Sequence, residues 1–118
     1  MMRILTFAAL LALSAPVVAS AAKPDGSYHI FGGGTCGAYI AHSRSQPGGD
    51  TNSHALILWV QGYLTAYINF VAPDGDITAG TDYEGVTLWV DNYCQAHPLD
   101  GLADAAAALV LELKARKR

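Results

Sequence analysis

Beyond Gly34 the chain falls into four apolar blocks, separated by turns rich in glycine, proline and aspartate. The first covers residues 36–45, with Tyr39 and Ile40 as its larger apolar residues and Thr35 placed to cap it. Pro47-Gly48-Gly49-Asp50 ends it. The second, residues 54–71, opens behind Thr51, Asn52 and Ser53 as candidate caps and is the most apolar of the four. Its polar positions Gln61, Thr65 and Asn69 recur every four residues and form one narrow stripe. A helix that is apolar nearly all round is central in its domain or covered by a second subunit. Gly62 in its interior predicts a close helix crossing, since glycine there costs about 1 kcal/mol against alanine.

Thr81-Asp82-Tyr83-Glu84 reads as a capping box that starts a third helix over residues 82–97. Val86, Trp89, Val90, Tyr93, Cys94 and His97 follow at spacings of three and four and share a face. Pro98 stops the helix. Asp100 is placed to cap a fourth helix over residues 101–114, with Leu102, Leu109, Val110 and Leu113 as packing residues and alanines 105–108 permitting close approach. No alternating strand pattern and no repeat is present. The expected fold is all-α: a small four-helix domain over residues 35–118.

Residues 1–21 read as a secretory signal peptide. Arg3 gives a positive start, residues 4–13 are apolar but short for a bilayer span, and Ala19-Ser20-Ala21 is a small-residue cleavage pattern. Residues 22–34 then form a flexible lead-in, and the exported chain has about 97 residues, enough for one modest core. The Gly32-Gly33-Gly34 run lacks the Gly-Lys-Ser/Thr ending of a phosphate loop and reads as a hinge. The second helix approaches a membrane span in length, but His54, Gln61 and Asn69 make it a poor one; no stable span is expected once the leader is removed.

Charge narrows the partners. Losing Arg3 with the leader leaves six Lys/Arg against ten Asp/Glu, a net charge of about −4. Four of the six cations lie in the last five residues, where they complement the final helix dipole and stay solvated. The body is acidic, which excludes a nucleic-acid partner. Export to an oxidising compartment, the periplasm, turns the two cysteines, Cys36 and Cys94, into one expected disulfide. With 58 positions between them, such a bond contributes about 4 kcal/mol in the chain-entropy picture.

Nothing forms a reactive constellation. Cys94-x-x-His97 puts a thiol and an imidazole on one face, but the close ligand pairs of a zinc site are missing, and a bonded sulfur is no nucleophile. Asp74 and Asp76 resemble the start of a calcium loop, yet Gly85 stands where the closing glutamate belongs. His29, His42 and His54 are scattered. Neither an enzyme nor a metal or cofactor is expected. What stands out is an aromatic set, Trp59, Tyr63, Tyr67, Trp89 and Tyr93, which reads as core or, alternatively, as a homodimer face or a surface for a partner protein.

An export signal, a cysteine opening the first helix, Trp59-x-x-Gly62-Tyr63, and Cys94 ending a later helix before Pro98 occur together. The combination resembles small two-cysteine periplasmic helical proteins of proteobacteria. Among them it is similar to the HdeA/HdeB-like acid-stress chaperones and to small immunity proteins of type VI secretion systems. The first likeness carries over the pair Cys36 and Cys94 and the helical layout, and implies a stress chaperone holding unfolded clients. At pH about 2–3, with carboxylates neutral and histidines charged, the exported chain would move from about −4 to near +10 (six Lys/Arg plus four His), loosening the packed state. The second likeness implies a constitutive partner, a secreted toxin to be neutralised. A structural role in the envelope is the third reading. The sparse charge here departs from the chaperone pattern.

Overall fold

The computed structural model describes residues 30–72, 75–78 and 80–117. The leader, the lead-in as far as His29, Asp74 and Arg118 lie outside them. Four helices follow in order: α1 (Cys36–Ser43), α2 (Thr51–Phe70), α3 (Tyr83–Ala96) and α4 (Leu102–Arg116). No strand is present among the described residues; a single antiparallel bridge pairs Thr35 with Gly101. Helix α1 packs against α2 and α3, α4 packs against the same two, and α2 and α3 meet more thinly across the middle. The domain is a four-cornered all-α bundle.

Each helix starts where a side chain answers its first free amides. The Thr35 hydroxyl accepts the Ala38 N–H at 3.1 Å, as expected. The other caps differ from expectation. Asp50, not Thr51, Asn52 or Ser53, starts α2: its Oδ1 accepts the Ser53 N–H at 3.0 Å, so the helix begins three residues early. Asp82 rather than Thr81 caps α3 by accepting the Gly85 N–H at 2.8 Å. Gly101 stands at the cap of α4, where the Asp104 carboxylate reaches back to the Gly101 N–H at 2.9 Å. At α2 and α3 an aspartate next to the expected caps takes the free amides, because an ionised oxygen accepts more strongly than a hydroxyl; at α4 the expected Asp100 gives way to Asp104, which answers the Gly101 N–H from the first turn of the helix.

The buried stripe of α4 is the longest. Leu102, Ala105, Ala106, Leu109, Val110 and Leu113 recur at helical spacing and are all buried. They meet Val86, Val90 and Cys94 from α3, Ile57, Val60 and Leu64 from α2, Cys36 and Tyr39 from α1, and Ile77 from the α2–α3 connection. Helix α2 is therefore not the central element that its apolar content predicts. Its buried positions form one stripe, Ser53, Ile57, Val60 and Leu64, and Leu58 and Phe70 on other faces are 60% and 87% exposed. Gly62 lies on an open side, and a Cβ built there would meet nothing within 4 Å. The expected close crossing at Gly62 is absent, since the neighbouring helices pack on the opposite side of α2. No described helix is long and apolar enough to cross a membrane.

Candidate functional site

Three features carry polar chemistry or unpartnered surface, and helix α1 links two of them. Its first residue, Cys36, is bonded to Cys94 near the end of α3, with the two Cα atoms 4.7 Å apart and both residues fully buried. The Cys36 N–H donates to the Asp100 carbonyl at 2.8 Å, and the Leu102 N–H donates to the Gly34 carbonyl at 2.7 Å. The disulfide thus ties α1 to α3 while the backbone ties α1 to the start of α4. Beside this clasp the rings of Trp89, Tyr93 and His97 form a ladder down α3, with centroids 5.4 and 4.6 Å apart. The Tyr93 hydroxyl donates to Asp100 Oδ2 at 2.7 Å. That bond, ahead of desolvation, pushes the Tyr93 phenol up to about 12. Asp100 therefore anchors the clasp and not the helix cap expected of it.

The aromatic set divides between two helices. Trp59, Tyr63 and Tyr67 lie on α2, Trp89 and Tyr93 on α3, and all five are half-buried residues packed against the rim of the core. Among the described residues the only aromatic side chain in the fully buried core is Tyr39. Trp59 Nε1 donates to the Phe31 carbonyl at 2.9 Å, and its ring tilts against Tyr63 at 6.0 Å. Gly32 and Gly33, with φ of +78° and +72°, lie directly over this indole; a Cβ on Gly32 would sit 2.9 Å from Trp59 Nε1. The glycine run is a strap across Trp59 rather than a bare hinge, and glycine is required for both its backbone and its close approach.

The outer side of α2 is the second feature. Among the twenty residues of this helix none is Asp, Glu, Lys or Arg. Leu58, Gly62, Ala66 and Phe70 are exposed along it. The polar residues do little to relieve this. Thr65 Oγ1 donates back to the Gln61 carbonyl at 2.9 Å and Asn69 Nδ2 to the Thr65 carbonyl at 2.7 Å. The polar stripe read from the sequence thus bonds partly to its own helix.

The third feature is a cleft of about 260 Å³ where the end of α1, the start of α2 and the middle of α3 converge. Tyr39, Ser43, Ser53, His54, Tyr83, Thr87 and Asp91 line it with Gly48, Gly49 and Ile57. Asp91 Oδ1 is buried and has no hydrogen-bond partner among the described residues. The Tyr39 phenol is raised above its ordinary range, first by burial and then by the neighbouring Asp91 carboxylate. Just outside, His42 Nδ1 donates to Asp50 Oδ2 at 2.8 Å. The Ser53 amide first, and His42 second, hold the Asp50 carboxyl below its ordinary value.

Sequence reasoning located the disulfide and the aromatics but missed Asp91 and Tyr39 as a pair. A signal was present: Tyr83, Thr87 and Asp91 repeat every four residues along α3, beside the buried line Val86, Val90 and Cys94. No group of described residues is arranged to hold a metal ion. The chain matches no protein-family model, no curated protein and no solved structure.

Proposed function

We propose that this is an exported, disulfide-clasped binding protein of the periplasm, acting as an acid-responsive chaperone and not as an enzyme. One observation carries the reading: three of the four helices start on a carboxylate, Asp50, Asp82 and Asp104, while the clasp that joins α1, α3 and α4 is covalent. Acid removes the first kind of tie and leaves the second. The sign follows from Asp50. Its folded value is depressed below 3.8, so its contribution is present above that value and is lost as pH falls through the lower, folded one. Loosened helix starts would enlarge the apolar surface already exposed on α2, and the half-buried aromatics would join it. Unfolded clients bind such surface.

The test is suppression of client aggregation at about pH 2–3, where carboxylates are protonated. The oxidised protein is expected to suppress it, the reduced protein to do so poorly, and neither to act at neutral pH. Absence of suppression by the oxidised form would reject the reading.

A second reading rests on the uncharged outer side of α2, which is open without any acid trigger. It makes the protein a neutral-pH binder of one dedicated partner, such as a toxin it neutralises. That reading requires a one-to-one complex at neutral pH that Leu58→Glu abolishes while the fold is retained.

A further inference from the structure

Buried carboxylate oxygens are normally hydrogen-bonded, and an orphan calls for an explanation. Among the described residues Asp91 Oδ1 is such an orphan, and the Asp91 side chain, whose carboxylate also meets the Tyr39 hydroxyl, lines a cleft. The polar groups around it are unusual in what they offer. Ser43 donates its single hydroxyl proton to the Ile40 carbonyl at 3.1 Å. Ser53 donates to the Asp50 carbonyl at 2.7 Å, and Thr87 to the Tyr83 carbonyl at 2.8 Å. His54 Nε2 lies 2.9 Å from the Gly48 carbonyl, which can only accept, so that nitrogen's proton is taken up by the backbone. The three hydroxyls therefore have lone pairs and no protons left for a ligand. Among the described residues no Lys or Arg lines the cleft, and two tyrosines, Tyr39 and Tyr83, do.

From this arrangement we infer that the cleft is a binding site for an ammonium or guanidinium group, with Asp91 as its counter-ion. Such a cation is all donor, with three N–H groups on an ammonium and five on an arginine guanidinium, and so complements a lining in which Ser43, Ser53 and Thr87 have only lone pairs to offer and the Tyr39 hydroxyl proton is already turned to Asp91. Tyr83, at the exposed rim of the cleft, adds an aromatic ring for cation–π attraction, whereas Tyr39 is buried in the core. The end of α1, reaching the cleft at Ser43, presents the negative end of its dipole, while the opposing positive end of α2 is neutralised by Asp50. At about 260 Å³ the cleft suits one side chain or a small amine, not a larger organic ligand.

The source of the cation is a free amine or a Lys/Arg side chain of a bound chain, and the test separates them. Agmatine, putrescine and a capped Gly-Arg-Gly peptide are titrated into the oxidised protein and followed by amide chemical shifts, with pentanamide as the uncharged control. Saturable shifts at Tyr39, Thr87 and Asp91 are expected, with a dissociation constant of about 1 mM or tighter for at least one cation. Binding of the peptide alone points to a side chain of a partner; binding of the free amines points to a small ligand. Asp91→Asn should weaken binding at least about tenfold while keeping or raising Tm, because it removes the counter-ion and relieves a carboxylate oxygen that has no partner. Tyr83→Leu, at the rim, should weaken it severalfold and serves if the first variant folds poorly. No saturable shift, equal binding of pentanamide, or undiminished binding by Asp91→Asn would overturn the inference and leave Oδ1 to a buried water.

Discussion

The two ends of helix α1 are built on different terms, although its eight residues separate them by only about 12 Å. At Cys36 the chain is tied by a disulfide, by two short backbone bonds to the α4 entrance, and, close by, by the Tyr93–Asp100 bond. At Ser43 the helix runs into a cleft that holds an unpartnered carboxylate oxygen beside a buried phenol. The first end is satisfied within the domain. The second has acceptors left over, and the outer side of α2 likewise has apolar surface left over. Stability and the proposed binding thus fall in separate regions, and substitutions should separate them too.

The largest expected effect is at the clasp. Reducing the disulfide, or the double substitution Cys36→Ala/Cys94→Ala, should lower stability by about 4 kcal/mol for a 58-residue separation, read from urea midpoints of oxidised and reduced protein. A loss of less than about 1 kcal/mol would mean the backbone bridge and packing hold this end without the sulfurs. Next comes the core that the clasp closes. Leu109→Ala should cost about 3 kcal/mol, since the residue is almost fully buried in the α4 stripe. Leu58→Ser on the outer side of α2 should change stability by no more than about 0.5 kcal/mol. An equal cost at the two leucines would dissolve the distinction between satisfied and open regions.

Why the sequence revealed one region better than the other follows from these residues. The helices and the disulfide were legible because periodicity, turn residues and a single pair of cysteines are local or compositional signals. Cap choice was harder: Thr81 and Asp82 both fit a helix start, and backbone dihedrals decide between them. The outer side of α2 was misread because nearly all of its residues are apolar, so composition could not say that Ile57, Val60 and Leu64 face inward while Leu58 does not. Asp91 was overlooked for a related reason. A lone carboxylate on a helix usually reaches water, and only the approach of Tyr39 from α1 shows that one of its oxygens does not.

A smaller effect tests the polar part of the clasp. The Tyr93 phenol is raised from 10.0 to about 12, so the folded state favours the protonated form more than the unfolded state does. That contribution is complete below pH 10.0 and disappears as pH rises through about 12. Tyr93→Phe should lower stability by about 1 kcal/mol at neutral pH, the usual net value of one hydrogen bond, and should flatten the alkaline part of the stability curve. Tyr39, whose phenol is also raised, would keep some alkaline dependence in the variant. A variant curve that still falls as steeply would place the titration on Tyr39 and the cleft.

The last effect is a gain rather than a loss, and it is the most telling about α2. Gly62 lies in the helix interior with open space where a Cβ would stand. Gly62→Ala should therefore stabilise the isolated chain by up to about 1 kcal/mol through helix propensity and reduced freedom of the unfolded chain. The same methyl group would stand on the outer side of the helix, between Leu58 and Ala66. If a second copy or another partner packs closely there, the variant should be more stable as a monomer yet weaker in assembly, as seen by size exclusion across a concentration series. A gain in stability with unchanged assembly would leave the side of α2 around Gly62 free and transfer binding to the cleft and the aromatic rim. A loss of stability in the monomer would contradict the open placement of Gly62 itself.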